Sequence, residues 1–223
     1  VARRTERLDS LAAELASVTV DVITADLSDP QAAEAVFAQT QAAGRQVDIL
    51  INNAGTTRFI DFQDLDAVTD EDWERIFAVN LKGPFQMARG AREALAAGEG
   101  GVIVNTASIA GMVGAGSSIP YCASKAALIN LTLSLARTLG PAIRVNAVAP
   151  GFIEGEWLQK GLGEAYEQVK ETKAAGTVLG AVSTPDDVAQ GILAMVTAPK
   201  TTGHTLVIDG GDTIGPRIEQ GLK

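Results

Sequence analysis

GVIVNTASIAG, residues 101–111, decides the fold. Its first four residues after the turn carry no alternation of apolar and polar side chains, which is how a strand buried on both faces reads. Four more stretches of this kind recur: VTVDVI (18–23), VDILI (47–51), IRVNAVA (143–149) and TLVID (205–209). Each is short and bounded by Gly, Asp or Pro. Between them, residues 4–16, 30–43, 83–97, 121–139 and 185–197 read as helices. The alternation predicts one α/β domain over residues 1–223, a doubly wound parallel sheet with helices on both faces and ligands beyond the carboxyl ends of the strands.

Local signals agree. Ser28 or Asp29 is expected to cap the helix opened by Pro30, and Thr184 precedes PDDV, which puts proline at the first helical position and acids in the first turn. Residues 152–182 are less regular and read as a mobile excursion over the site, with short helices within it.

Composition narrows the function. The chain has 223 residues, 46% apolar and 20% charged, enough for one substantial core. A net charge of −9 offers no basic footprint for nucleic acid. No run approaches the roughly 18 apolar residues of a membrane span, and VARRTERLDS at the start has no signal-peptide core, so a cytoplasmic, soluble protein is expected. Cys122 is the only cysteine and His204 the only histidine, which excludes a Cys/His zinc cage and an intrachain disulfide. No metal site is expected. The acids Asp64, Asp66, Asp70, Glu71 and Asp72 read as a solvated helix start. A Ser-His-Asp triad would have to use His204, which reads more simply as a residue entering the last strand.

YCASK (121–125) is the chemical candidate. Four residues of helix turn through about 400° and rise about 6 Å, so Tyr121 and Lys125 share one face. A tyrosine working near neutral pH needs a shift of roughly three units, about 4 kcal/mol, which a cation at about 4 Å supplies at an effective dielectric of 20. The competing reading is a packed tyrosine with a solvated lysine one turn later. Ser108, just past the GVIVN strand, is placed to donate to a carbonyl oxygen gaining charge. NNAG (52–55) ends another strand with small residues, and Asn80 in VNLKGPF (79–85) precedes a helix.

These pieces, with DLSD (26–29), PGFI (150–153) and IDGG (208–211), resemble in order and spacing a classical short-chain dehydrogenase/reductase over about residues 1–213. The resemblance implies a Rossmann-like domain and a carbonyl–alcohol oxidoreductase. It assigns Tyr121 as the acid or base at the substrate oxygen and Ser108 as its polarising partner. Lys125 would lower the Tyr121 pKa and bind the nicotinamide ribose, and Asn80 would support a water relay. On the cofactor side it implies Asp26 and Leu27 at the adenine, Asn53, Ala54 and Gly55 at the ribose and phosphate, and Pro150, Gly151 and Ile153 at the nicotinamide.

Arg3 and Arg4 follow the position where an acid would take a ribose 2′-hydroxyl, so NADP(H) is expected in preference to NAD(H), unless the arginines are solvated helix-start charges. The substrate would be a small carbonyl or alcohol compound, and assembly a homodimer or homotetramer through helices 83–97 and 121–139. Two features depart from the family. Gly155 stands where a threonine is usual, and no glycine-rich phosphate loop is present: GMVGAG (111–116) is a weak substitute. By family analogy, roughly 35 residues with a strand, that loop and a helix are expected upstream of Val1. The alternative is a catalytically silent Rossmann-fold binding protein that lacks the loop.

Overall fold

The computed structural model describes residues 1–215 and 218; the remainder of the expected 1–223 domain lies outside the described residues. Helices α1 (Thr5–Glu14) and α2 (Ala32–Ala42) come first, followed by β1 (Ile49–Asn52), α3 (Asp70–Phe77), α4 (Gly83–Ala97) and β2 (Gly101–Thr106). After the short α5 (Ala110–Val113) come α6 (Ile119–Leu139), β3 (Ile143–Pro150), α7 (Glu156–Leu162), α8 (Tyr166–Gly176), α9 (Pro185–Thr197) and β4 (Thr205–Ile208). The strands form one parallel sheet in the order β1-β2-β3-β4.

Because strand side chains alternate in direction, the two sheet faces build separate cores. Leu50, Ile103 and Val145 are neighbours in register and point to one face, where Val36, Met87, Ala91, Leu95 and Leu135 from α2, α4 and α6 cover them. Val102, Val104 and Val148 point to the other face and meet Val188 and Met195 of α9. Helices therefore lie on both faces, as the doubly wound reading requires. Each fully buried Leu, Ile or Val contributes about 1.5–3 kcal/mol, so these two layers carry most of the stabilisation.

Polar clamps fix the layers. Arg144 on β3 donates to the carbonyls of Met195, Val196 and Thr201, satisfying the end of α9. Thr184 and Asp187 form a reciprocal capping box at its start. His204 lies in the backbone ladder, its carbonyl accepting from Ala147 N at 2.8 Å and its own N–H donating to Asn146 Oδ1 at 3.0 Å.

Two expectations need correction. Residues 18–23 do not form a strand: the only pairing there is an isolated parallel bridge between Thr24 and Ala2. A strand is held by a neighbour's ladder, and among the described residues Ala2 is the only backbone that reaches it. Ile23, Ala25 and Leu27 nevertheless pack against the α2/α4 core. The second helix starts at Ala32, not Pro30, because Asp26 captures the N–H and hydroxyl of Ser28 while Asp29 captures the N–H of Gln31. These side-chain turns hold the backbone out of helical register. Residues 152–182 contain α7 and α8, anchored by buried Tyr166, whose hydroxyl accepts from Gly155 N at 3.3 Å.

Candidate active site

The cleft opens beyond the carboxyl ends of β1, β2 and β3. Ser118 caps α6 by accepting from Tyr121 N at 3.4 Å, so the tyrosine lies in the first turn of a helix that starts two residues earlier than expected. Ser108, after β2, receives the Ala110 N–H on its Oγ at 3.2 Å. Gly111 then lets α5 lie directly on the catalytic helix: a Cβ there would stand 2.5 Å from the Lys125 carbonyl carbon and the Ala126 nitrogen. The serine and tyrosine segments are thereby held together by backbone contact.

Lys125 is 4% exposed and donates from Nζ to the Thr106 carbonyl at 2.7 Å, with Nζ 5.7 Å from the Tyr121 ring centroid. Asn80 is fully buried in a π-helical turn (Ala78–Lys82) between α3 and α4. Its Oδ1 accepts from Thr56 N at 2.8 Å, and its Nδ2 donates to Thr56 O and Ser124 Oγ, each at 3.0 Å. Ser124 in turn donates to the Tyr121 carbonyl at 2.8 Å. One asparagine thus ties the loop after β1 to the helix that carries the tyrosine and lysine.

The electrostatics differ from the expectation that Lys125 lowers the Tyr121 pKa. Burial pushes the Tyr121 hydroxyl up to about 12, with the nearby Ser108 side chain offsetting part of the rise. Burial also brings the Lys125 ammonium down to about 8. A cation eases a neighbour's ionisation only while it remains charged, and here the lysine loses its proton first. The dry surroundings that strengthen Coulomb attraction also penalise the lysine charge.

A cleft of about 1230 Å³ is lined by Arg4, Asn53, Gly55, Ser108, Tyr121, Lys125, Pro150, Gly151 and Ile153. That exceeds the roughly 300–1,000 Å³ of a site for one small ligand. Arg3, Asp26, Leu27, Ala54 and Asn80 do not line it. The Arg3 guanidinium lies 3.8 Å from the Asp26 carboxylate, and Ser28 with Arg3 holds the Asp26 carboxyl below the usual range. Leu27 is in the core, and Asn80 lies behind the cleft wall. Phe152 and Trp157 also line the cleft.

Sequence reasoning missed Asn52, Asn105 and Thr106. Asn52 Nδ2 donates to Asn105 Oδ1 at 2.9 Å, and Asn105 Nδ2 to Thr132 Oγ1 at 2.9 Å, a buried chain joining β1, β2 and α6 directly behind the site. The available signal was an asparagine closing each of two apolar strands, since a buried amide must find partners.

The residues fit a nicotinamide nucleotide. Lys125 has three N–H donors and spends one on Thr106, leaving two for ribose hydroxyls. Beside it Gly55 leaves the wall low, since a Cβ there would already touch Lys125 Nζ and Asn80 Oδ1 at 3.7 and 3.8 Å.

Comparison with known proteins gives the family. The family model described as enoyl-(acyl carrier protein) reductase matches residues 1–213. The chain belongs to the short-chain dehydrogenase/reductase family. A protein of Streptomyces violaceoruber assigned as ketoacyl reductase 2 of the granaticin polyketide synthase is 41% identical over 189 residues, covering 85% of this chain and 75% of its own length. The 3-oxoacyl-(acyl-carrier-protein) reductase of Thermotoga maritima is 38% identical over 216 residues, covering 92% and 83%. Among solved structures, ElxO with NADP bound superposes with a TM-score of 0.83 at 29% identity, over 95% of this chain and 86% of that one. As a short-chain dehydrogenase/reductase with these relatives, the protein is an oxidoreductase acting on CH–OH groups. No helix among the described residues is long and apolar enough to cross a membrane.

Proposed function

We propose that this short-chain dehydrogenase/reductase interconverts a ketone and a secondary alcohol with NADP(H), using Ser108, Tyr121, Lys125 and Asn80. The observation that carries the reading is the convergence of the first three on one cleft, with Asn80 bonded to the loop and helix that hold them. A nicotinamide bound there would supply the hydride to the ketone or accept it from the alcohol. Ser108 Oγ binds the substrate oxygen and orients it toward Tyr121, whose hydroxyl gives or takes the proton. Lys125 holds the ribose and, once its charge is stabilised by those hydroxyls, restores the field that eases tyrosine ionisation. Asn80 is a positioning residue with both amide groups committed to protein partners.

Arg4 reaches the cleft and is the better of the two arginines for a 2′-phosphate, since Arg3 faces Asp26. The exposed Phe85 of α4, beside a groove with Leu81 and Leu131, supports assembly through α4 and α6. The reductase relatives favour this reading over the silent-binder alternative. Nicotinamide fluorescence during titration with NADPH and NADH, followed by loss of absorbance at 340 nm with a ketone panel, tests the proposal. Failure to bind either nucleotide or to turn over any ketone rejects it.

A further inference from the structure

Two pairs of polar side chains stand back to back where β1 and β2 end. Asn52 is opposite Asn105 in the parallel register, and this pair turns to the face covered by α6, where Asn105 reaches Thr132. Side chains alternate along a strand, so the next pair, Asn53 and Thr106, turns to the other face. Val102 and Val104 meet α9 on that face, whereas Asn53 and Thr106 line the cleft.

Thr106 grips two side chains of the cleft wall at once. Its hydroxyl donates to Asn53 Oδ1 at 3.0 Å, and its carbonyl accepts from Lys125 Nζ at 2.7 Å. With Oδ1 held by the threonine, Asn53 Nδ2 has no protein partner among the described residues and presents two N–H donors to the cleft. Asn53 is otherwise exposed, and a side chain left free to rotate loses that freedom when a ligand binds. A β-branched residue has a restricted χ1, so the threonine holds its hydroxyl in a set direction.

Strand propensity alone does not account for the residue. Valine occupies the two preceding positions on this face, Val102 and Val104, and it matches threonine in shape and in preference for strands. What threonine adds is the hydroxyl that meets Asn53.

We propose that Thr106 is a positioning residue for the nucleotide, presetting the Asn53 carboxamide with its hydroxyl and the Lys125 ammonium with its carbonyl. The inference rests on the reductase reading above, so its test begins with binding, which needs no turnover. Thr106→Val removes the hydroxyl and leaves the carbonyl bond to Lys125. Titrated into the full chain and followed by nicotinamide fluorescence, NADPH and NADH are both expected to bind about fivefold more weakly to this variant, their ratio unchanged because the sugars are common to the two. KM for NADPH should rise in step while kcat falls by less, the split expected of a binding contact. Thr106→Ser restores a hydroxyl and should recover most of the affinity.

Asn53→Ala should weaken both nucleotides at least as much, and the double variant no further, because the threonine acts through the asparagine. Urea melts of each variant read any loss of folding separately. Wild-type affinity in Thr106→Val, a Thr106→Ser as weak as Thr106→Val, or additive losses in the double variant overturns the inference. Nucleotide binding that follows the expected pattern without turnover of any ketone would uphold the positioning role and count against the reductase reading, whereas a wild type that binds neither nucleotide removes both.

Discussion

Lys125 donates to the Thr106 carbonyl at 2.7 Å, so the catalytic helix is pinned to the end of the central strand by a buried ammonium. That placement costs stability when the lysine is charged, since its pKa falls to about 8 from 10.5. Between these values the unfolded chain binds more protons than the folded one, so stability rises with pH across the window. Relative to Lys125→Met, the wild type is expected to gain up to about 1.4 kcal/mol per pH unit between pH 8 and 10. Urea melts of both proteins at three pH values read this directly, and parallel curves would remove the buried charge.

Tyr121→Phe removes only a hydroxyl that is buried and has Ser108 beside it. Turnover is expected to fall by at least about a thousandfold, while NADPH binding changes less than about threefold. Stopped-flow reduction separates the two, and a variant that retains activity would displace Tyr121 as the proton carrier.

The chemistry was more legible than the scaffold that holds it. Tyr121 and Lys125 announce themselves by helical spacing, and Ser108 by its position after an unbroken apolar strand. Residues 18–23 look equally strand-like, but a ladder requires a neighbour, which no local pattern specifies. Asp26 reads as a ligand contact, and the structure adds a role the sequence pattern did not show: its carboxylate holds the Ser28 turn and lies near Arg3. The burial that lowers the Lys125 pKa is not legible in its spacing, which conveys proximity alone. Gly161 and Phe59 meet across about a hundred residues of chain, beyond any periodicity argument.

Asn80→Ala strands the Thr56 N–H and carbonyl, both now served by one amide, while the Ser124 hydroxyl keeps its bond to the Tyr121 carbonyl. Unsatisfied buried groups cost about 1–3 kcal/mol each, so a loss of at least about 2 kcal/mol is expected. A positioning role further predicts that kcat falls more than KM rises, because the loop and catalytic helix lose alignment. Thermal melts with steady-state kinetics test both parts.

Arg144→Met keeps the apolar stem but frees the carbonyls of Met195, Val196 and Thr201. Destabilisation of about 2 kcal/mol is expected, with NADPH affinity unchanged because α9 packs on the sheet face below the cleft. Hydrogen exchange should locate the new opening at the end of α9; an unchanged protection pattern would contradict the clamp.

Arg4 decides the cofactor question most directly. It is the N-cap residue of α1 but its side chain makes no capping hydrogen bond; it lines the cleft and stands near the ion pair of Arg3 with Asp26. If its guanidinium receives a 2′-phosphate, Arg4→Ala should weaken NADPH at least about tenfold and leave NADH nearly unaltered, because only one nucleotide carries the extra anion. Salt should weaken NADPH binding more in the wild type than in the variant, as screening acts on the contact that the variant lacks. Arg3→Ala provides the internal comparison: a smaller effect is expected, since Asp26 already holds that side chain. Equal losses for both nucleotides in Arg4→Ala would instead place Arg4 at a phosphate common to the two and transfer the preference to Arg3.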